Sequence, residues 1–118
     1  ECVAFALKHF GRLDIVVCNA GILIDKRLEV MSVEDFLTLQ TIHLHGHVKL
    51  LKAAWPVLKE RKYGRVVLIS SESGFHGNQG QSNYAAAKAA MVALAQTLAV
   101  EGAEHGIVVN AIATDGLT

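Results

Sequence analysis

Tyr84 and Lys88 stand four residues apart in the run Asn83-Tyr84-Ala85-Ala86-Ala87-Lys88. Residues at this spacing share one face of a helix, so the phenol and the amine would be neighbours. A nearby ammonium stabilises a phenolate, which would let the tyrosine exchange a proton with a hydroxyl or carbonyl group near neutral pH. The pair therefore predicts acid–base chemistry at an oxygen atom.

The same two residues also have an ordinary structural explanation. Tyr84 would pack and Lys88 would be solvated, and isolated Y-x-x-x-K sequences are frequent by chance. The preceding residues favour the chemical interpretation, because Ser70 and Ser71 end an apolar run and could hold the same oxygen atom. The loop that follows them is rich in glycine, with Gly74, Gly77 and Gly80.

Three short runs have the composition of β-strands: Asp14–Cys18 (DIVVC), Arg65–Ser70 (RVVLIS) and Ile107–Ala113 (IVVNAIA). Each is nearly continuous in apolar residues, which predicts strands buried on both faces of a parallel sheet. Long helical stretches separate the runs, as parallel crossovers require. The alternation predicts an α/β fold with a doubly wound parallel sheet.

The first long helical stretch begins at a capping box formed by Ser32 and Asp35 and runs toward Lys62, with either a kink or the start of a new turn predicted at Pro56. The second runs from about Ser82 to Glu104.

Gly106 is the predicted C-terminal cap of this second helix. Its predicted close-packing face consists of small residues, Ala85, Ala86, Ala89 and Ala93.

Sites in α/β sheets form beyond the carboxyl ends of the strands. This rule selects the segments 19–21, 70–81 and 114–118. Functional residues are therefore expected there and at the helix starts that follow, which include Tyr84.

Size and charge limit the classes of function. The 118 residues suit one small domain, and 11 basic residues balance 11 acidic ones, so nucleic acids and anionic membranes are not expected partners. No apolar run is long enough for a transmembrane span. Cys2 and Cys18 do not form a disulfide framework, which favours a reducing, cytoplasmic location. The chain starts at Glu1 in what reads as the tail of a helix, which predicts a fragment of a longer protein.

The sequence resembles the short-chain dehydrogenase/reductase family. The resemblance rests on segments in family order: 11–21 (GRLDIVVCNAG), the spacing S-x(12)-Y-x-x-x-K from Ser71 through Tyr84 to Lys88, and Val109–Ala113 (VNAIA). It covers nearly the whole chain and implies a Rossmann-like fold. Residues 1–118 would be the central-to-C-terminal portion of an NAD(P)-binding domain, without its first βαβαβ half and final strand.

The resemblance implies a role for each residue of the central constellation. Tyr84 would be the catalytic acid–base, and Lys88 would stabilise its phenolate and bond to the nicotinamide ribose. Ser71 would position the substrate oxygen; it is preferred to Ser70 because it has the family's thirteen-residue offset from the tyrosine. The implied reaction is hydride transfer between NAD or NADP and a secondary alcohol or ketone.

The resemblance also implies that Asn19, Ala20 and Gly21 line the adenosine side of the cofactor and help to fix the central strand. Gly21 by itself is also explained as a turn glycine. The family's glycine-rich phosphate loop does not occur in the chain. Its usual Ala-Pro-Gly segment near the nicotinamide is replaced here by Ala113-Thr114-Asp115-Gly116.

One family position departs from the usual pattern Asn-Leu-x-Gly, because this chain has His43-Leu44-His45-Gly46. His43 would either take the asparagine's place in a proton relay or pack within the helix. His43 and His47 can meet on one helix face, but no third ligand is evident, so no metal site is expected.

A narrower resemblance is to the (3R)-hydroxyacyl-CoA dehydrogenase domains of peroxisomal multifunctional enzyme type 2 and their bacterial counterparts. It rests on H-L-x-G at 43–46, Y-G-R at 63–65 and G-N-x-G-Q-x-N-Y-x-A-A-K at 77–88. It implies an acyl-CoA substrate and a peroxisomal location as the alternative to the cytoplasm.

Two functions remain open from the sequence. The chain is either part of a complete oxidoreductase or an inactive half-domain that serves as an interaction or dimerisation module. The family resemblance implies a homo-oligomer formed through the two long helices.

Overall fold

The computed structural model describes residues 1–115, in which helices and parallel strands alternate. The strands are β1 (Ile15–Cys18), β2 (Gly64–Ser71) and β3 (Ile107–Thr114). The α-helices are α1 (Cys2–Phe10), α2 (Val33–Gln40), α3 (Gly46–Arg61), α4 (Ser73–His76) and α5 (Ser82–Gly102). A π-helical segment, Thr41–His45, joins α2 to α3, and a 3₁₀ turn, Ala103–His105, follows α5.

The three strands form one parallel sheet in the order β1-β2-β3. Val66 of the central strand pairs with Val16 on one side and with Val109 on the other. The predicted α/β class with a parallel sheet is confirmed, and each predicted strand end lies within one residue of the observed one. The carboxyl ends of all three strands meet at one edge of the sheet, where a site was expected.

The two faces of the sheet differ. One face contributes Val16, Cys18, Val66, Leu68 and Val109 to a core that α3 and α5 complete, notably with Leu58 and Met91.

The other face is apolar and open. Ile15 is 61% exposed and Val17 53%, and Val108 and Ile112 of β3 are also exposed. The prediction that the strands are buried on both faces is wrong for the described residues. The apolar runs do supply two apolar faces, but the core helices cover only one of them.

The start of α2 confirms the predicted capping box. The Asp35 amide donates to Ser32 Oγ at 3.0 Å, and the Ser32 amide donates to Asp35 Oδ2 at 3.1 Å. At Pro56 the helix α3 is unbroken and continues to Arg61. An irregularity does lie ahead of α3, where the chain forms the π-helical segment, a feature that is frequent near functional sites.

The second long helix ends at Gly102, and Gly106 closes the following turn in the left-handed conformation, with φ at 68°. Gly106 therefore caps the 3₁₀ turn and not α5 itself, whose cap is Ala103, so the prediction of Gly106 as the cap of the second helix is wrong.

The predicted alanine face of α5 is not the face that packs on the core, although α4 approaches it closely where Gly74 meets the backbone of Ala89. Ala86, Ala89 and Ala93 are exposed, and the buried stripe lies two residues further along the helix, at Ala87, Lys88, Met91 and Ala95. Alanine is small enough for either face, so composition did not distinguish them.

None of the helices within residues 1–115 combines the length and the apolar character that crossing a membrane requires.

Candidate active site

The predicted site residues gather where β1 and β2 end and α5 begins. A cavity of about 470 Å³ at this point is bordered by Asn19, Gly21, His43, Tyr84 and Lys88. Ala20, predicted with its two neighbours, is exposed and does not border this cavity. Residues that are far apart in the sequence therefore meet as the strand-end rule requires.

Lys88 is buried beside Tyr84 on one face of α5. Its side chain is only 3% exposed, and its Nζ lies 5.5 Å from the centre of the Tyr84 ring. The ammonium donates to the carbonyl oxygen of Ile69 at 2.7 Å. Burial lowers the pKa of Lys88 from its ordinary value. An ammonium that is poorly hydrated in this way interacts strongly with any negative charge that forms nearby.

The two serines at the end of β2 have different surroundings. Ser70 is 1% exposed, and its hydroxyl donates to the Lys88 carbonyl oxygen at 2.7 Å, so it fastens α5 to the sheet. Ser71 is half-buried, and its Oγ accepts from the Ser73 amide at 3.3 Å. The alternation of a strand sends these neighbouring side chains to opposite faces.

Ser71 borders a second cavity, of about 430 Å³, on the other side of Tyr84. Tyr84 thus borders both cavities, one with Lys88 and the other with Ser71. Among the described residues, no group bonds to the Tyr84 hydroxyl. The phenol is therefore available to a molecule in either cavity.

His43 lies in the π-helical segment, with its ring edge-on to the Tyr84 ring at 5.3 Å between centres. Its Nε2 is 2.9 Å from the amide nitrogen of Ile22 and 2.7 Å from the carbonyl oxygen of Ile22. One tautomer accepts from the amide and the other donates to the carbonyl, so either ring state keeps a partner. Its Nδ1 is buried without one.

Burial is the main cause that lowers the pKa of His43, and the Lys88 ammonium and His47 lower it further. His47, one turn later, is 5% exposed, and neither of its ring nitrogens has a hydrogen-bond partner. Burial, and to a smaller extent Lys88, also lower the pKa of His47. The nearby backbone of His43 and Ala20 acts in the opposite direction and raises it by less. Both imidazoles are therefore held in a site that favours their neutral forms.

Two polar residues whose roles the sequence did not reveal hold the start of α5. Asn83 is fully buried; its Nδ2 donates to the Ile24 carbonyl at 3.0 Å, and its Oδ1 accepts from the Tyr84 amide at 2.8 Å. Gln81 is 8% exposed, and its Nε2 donates to Asp25 Oδ2 at 3.1 Å. Both residues belong to the run G-Q-x-N-Y. Two amide side chains directly ahead of the tyrosine are the sequence feature that could have indicated their roles.

Two predictions remain, the absence of a metal site and the segment 114–118. Within residues 1–115, no group of three or more His, Cys, Asp or Glu side chains could hold a metal ion. Thr114 borders the first cavity and Asp115 the second. The rest of the predicted segment, residues 116–118, lies outside the described residues.

The family model described as short chain dehydrogenase matches residues 1–118. The chain belongs to the short-chain dehydrogenase family. Its tyrosine, lysine and serine therefore lie together in the fold of that family, and His43 occupies the helix position at which the resemblance implied an asparagine.

The chain is similar to several curated proteins. It is 47% identical to the peroxisomal hydratase-dehydrogenase-epimerase of Saccharomyces cerevisiae, over 96% of this chain and 13% of that protein. It is 47% identical to the peroxisomal multifunctional enzyme type 2 of Drosophila melanogaster, over 95% of this chain and 19% of that protein. It is 38% identical to a 3-oxoacyl-[acyl-carrier-protein] reductase of Synechocystis, over 96% of this chain and 46% of that protein. The chain thus spans less than half the length of each of these relatives.

Proposed function

We propose that this chain carries the catalytic part of an oxidoreductase that transfers a hydride between NAD(P) and a secondary alcohol or ketone. The observation that supports this best is the position of Tyr84 between two cavities, with the buried Lys88 ammonium beside it. A phenol in that position can exchange a proton with an oxygen atom in one cavity while the other cavity holds the cofactor.

Tyr84 is the proposed acid–base. When a ketone is reduced, the Tyr84 hydroxyl donates a proton to the carbonyl oxygen of the ketone as the carbonyl carbon receives the hydride. When an alcohol is oxidised, the Tyr84 phenolate takes the proton of the alcohol hydroxyl. Lys88 stabilises the phenolate by charge. Ser71, which borders the second cavity with Tyr84, donates a hydrogen bond to the same substrate oxygen. Fixed donors of this kind stabilise developing charge without reorganising.

Asn19, Ala20, Gly21, Tyr84 and Lys88 are the proposed cofactor-binding residues. The cavity bordered by four of them fits this role, since the Lys88 ammonium has three N–H groups and uses one on Ile69. The other two suit ribose hydroxyls. When bound, the nicotinamide group supplies or accepts the hydride.

His43 is the proposed member of a proton relay that restores the proton of Tyr84 from solvent. Its ring lies edge-on to Tyr84, and its Nδ1 is unbonded, so it has an acceptor or donor position to spare. A neutral imidazole can accept at one nitrogen and donate at the other, which suits a relay.

A 3-hydroxyacyl-CoA is the proposed substrate class. The support is the names of the relatives, which include a multifunctional enzyme type 2, a hydratase-dehydrogenase-epimerase and a 3-oxoacyl-[acyl-carrier-protein] reductase. The first two names also include the word peroxisomal, so we propose that location in preference to the cytoplasm.

The test is an activity panel on the full-length protein. Each enantiomer of a 3-hydroxyacyl-CoA is incubated with NAD⁺ and with NADP⁺, and the absorbance of the reduced nicotinamide is followed. We expect oxidation of the 3R enantiomer with one or both cofactors, and the 3S enantiomer is the matched control. Equal rates for the enantiomers would contradict the 3R preference, oxidation of other secondary alcohols but of neither enantiomer would contradict the substrate class, and no oxidation of any secondary alcohol would contradict the proposed reaction.

An interaction module without turnover is the second candidate. It is favoured by the exposed small residues Ala86, Ala89 and Ala93 on α5, which would allow the helices of two copies to approach closely. Self-association through α5 and the α2–α3 stretch would also suit an active enzyme. Titration calorimetry of the 118-residue chain with NAD(H) tests a third outcome. Micromolar binding would indicate a self-sufficient cofactor site, which neither candidate predicts.

A further inference from the structure

Leu23 is an apolar side chain left 60% exposed beside the candidate active site. Single exposed leucines are common on protein surfaces and need no explanation by themselves. This one differs from them because the backbone on both sides of it is fastened to the catalytic elements.

The residue before Leu23 is held by the π-helical segment. The Ile22 backbone lies within hydrogen-bond distance of His43 Nε2 through both its amide and its carbonyl. The residue after it, Ile24, accepts through its carbonyl from the buried Asn83 side chain at 3.0 Å. Leu23 is therefore fixed between the histidine and the residue that immediately precedes Tyr84.

The loop remains fastened beyond Ile24. Gln81 donates to the Asp25 carboxylate at 3.1 Å, and the Lys26 amide donates to the Gly80 carbonyl at 2.9 Å. Successive attachments on both sides leave the backbone of Leu23 little freedom, so the exposed side chain has a defined place.

That place is the boundary between the two cavities. Among the residues that the structure describes, only Leu23 and Tyr84 border both of them. In the second cavity, which contains Ser71, Leu23 is the one aliphatic side chain within the described lining; most of its other lining residues are polar or charged, including Glu72, His76 and Asp115.

We infer that Leu23 is a specificity-determining residue that packs against the apolar part of the substrate next to the carbon bearing the reacting oxygen. This inference rests on the proposed function. A substrate oxygen at Tyr84 and Ser71 leaves the neighbouring carbon atoms at the junction of the cavities, where Leu23 supplies the aliphatic surface. The substrate class that it favours is an alcohol with an unbranched hydrocarbon chain at this position.

The experiment compares Leu23→Ala with the unmodified full-length protein. The substrates are a straight-chain 3-hydroxyacyl thioester and one that has a methyl branch beside the hydroxyl-bearing carbon. Truncating Leu23 makes room for the branch and removes contacts with the straight chain. We expect the ratio of kcat/KM for the branched to the straight substrate to rise about tenfold, since one methylene in an apolar pocket has an effect of that size.

Leu28→Ala is the matched control, because Leu28 is an exposed leucine of the same loop and borders neither cavity. Its ratio should stay at the unmodified value, and both variants should keep the unmodified melting temperature. If Leu23→Ala is inactive, Leu23→Val should show a smaller rise in the same direction. If an active Leu23 variant has the unmodified ratio of kcat/KM for the two substrates, the proposed contact of Leu23 is wrong and the proposed function still stands. Lack of turnover by the unmodified protein overturns the proposed function and the contact together.

Discussion

The ring of His43 occupies the space that a side chain at position 21 would need. A Cβ atom built on Gly21 would overlap His43 Cε1 and lie 2.9 Å from each ring nitrogen. Gly21 does not have a positive φ, unlike Gly77 and Gly80. This glycine is therefore required by a close approach to the imidazole and not by a left-handed turn.

Gly21→Ala should destabilise the protein through this contact. The added methyl group must displace the buried His43 ring, and overpacking of this kind costs about 1–3 kcal/mol. The free energy of unfolding, from denaturant titration of the full-length protein, checks the prediction. Adding His43→Ala to Gly21→Ala should restore part of the loss, because it removes the group that clashes.

Gly46→Ala is the control for the Gly21 prediction. Gly46 is helical, and a Cβ atom there would meet its nearest neighbour, the Thr41 carbonyl oxygen, at 3.5 Å, an ordinary contact. We expect it to raise the free energy of unfolding by about 0.5–1 kcal/mol, the usual gain from alanine in a helix. Similar effects of the two substitutions would contradict the assigned contact.

The sequence predicted the parts of the fold that local patterns encode. Apolar runs placed the three strands to within one residue, and the S-x-x-D box placed the start of α2 because its bonds join residues only three apart. The strand-end rule and the four-residue spacing then correctly predicted that Tyr84 and Lys88 lie together at the carboxyl-end edge of the sheet.

Features that depend on distant neighbours were not predictable in this way. The choice of Ala87 and not Ala86 as a buried residue depends on how α5 rotates against the sheet, and both are alanines. The roles of Gln81 and Asn83 depend on a loop more than fifty residues earlier in the chain. The open face of the sheet has the same apolar composition as the covered one, so only the structure distinguishes them.

Tyr84→Phe should abolish turnover in the full-length protein and leave cofactor affinity nearly unchanged. The substitution removes the hydroxyl that exchanges the proton and retains the ring. General acid–base groups contribute about 10²–10⁴-fold to rate, so kcat should fall by at least that lower factor. Steady-state kinetics and a fluorescence titration with reduced cofactor measure the two quantities. Tyr63→Phe, at an exposed tyrosine outside both cavities, is the control, and activity near the unmodified level in Tyr84→Phe would refute the assignment.

Lys88→Met should separate stability from activity. The methionine side chain is similar in length and removes an ammonium whose burial lowers its pKa, so the free energy of unfolding should stay equal or rise by up to about 1 kcal/mol despite the lost bond to Ile69. Turnover should fall by about 10²-fold or more, because the phenolate of Tyr84 loses its neighbouring charge. Lys49→Met, at an exposed lysine of α3, should change neither quantity. Retained turnover in Lys88→Met would contradict the role of the ammonium.

The buried histidines should make stability depend on pH. Burial lowers the pKa of both His43 and His47 from the ordinary value of 6.5, so the unfolded chain binds protons that the folded chain resists. Their contribution to stability is full above pH 6.5 and is lost as pH falls from there through the folded pKa, at about 1.4 kcal/mol for each unit by which the pKa is lowered. His43→Gln and His47→Gln should each flatten the fall in the free energy of unfolding between neutral and mildly acidic pH. The exposed His45→Gln should leave it unchanged, and an equally steep fall in all three variants would show that other groups, and not these imidazoles, titrate in this range.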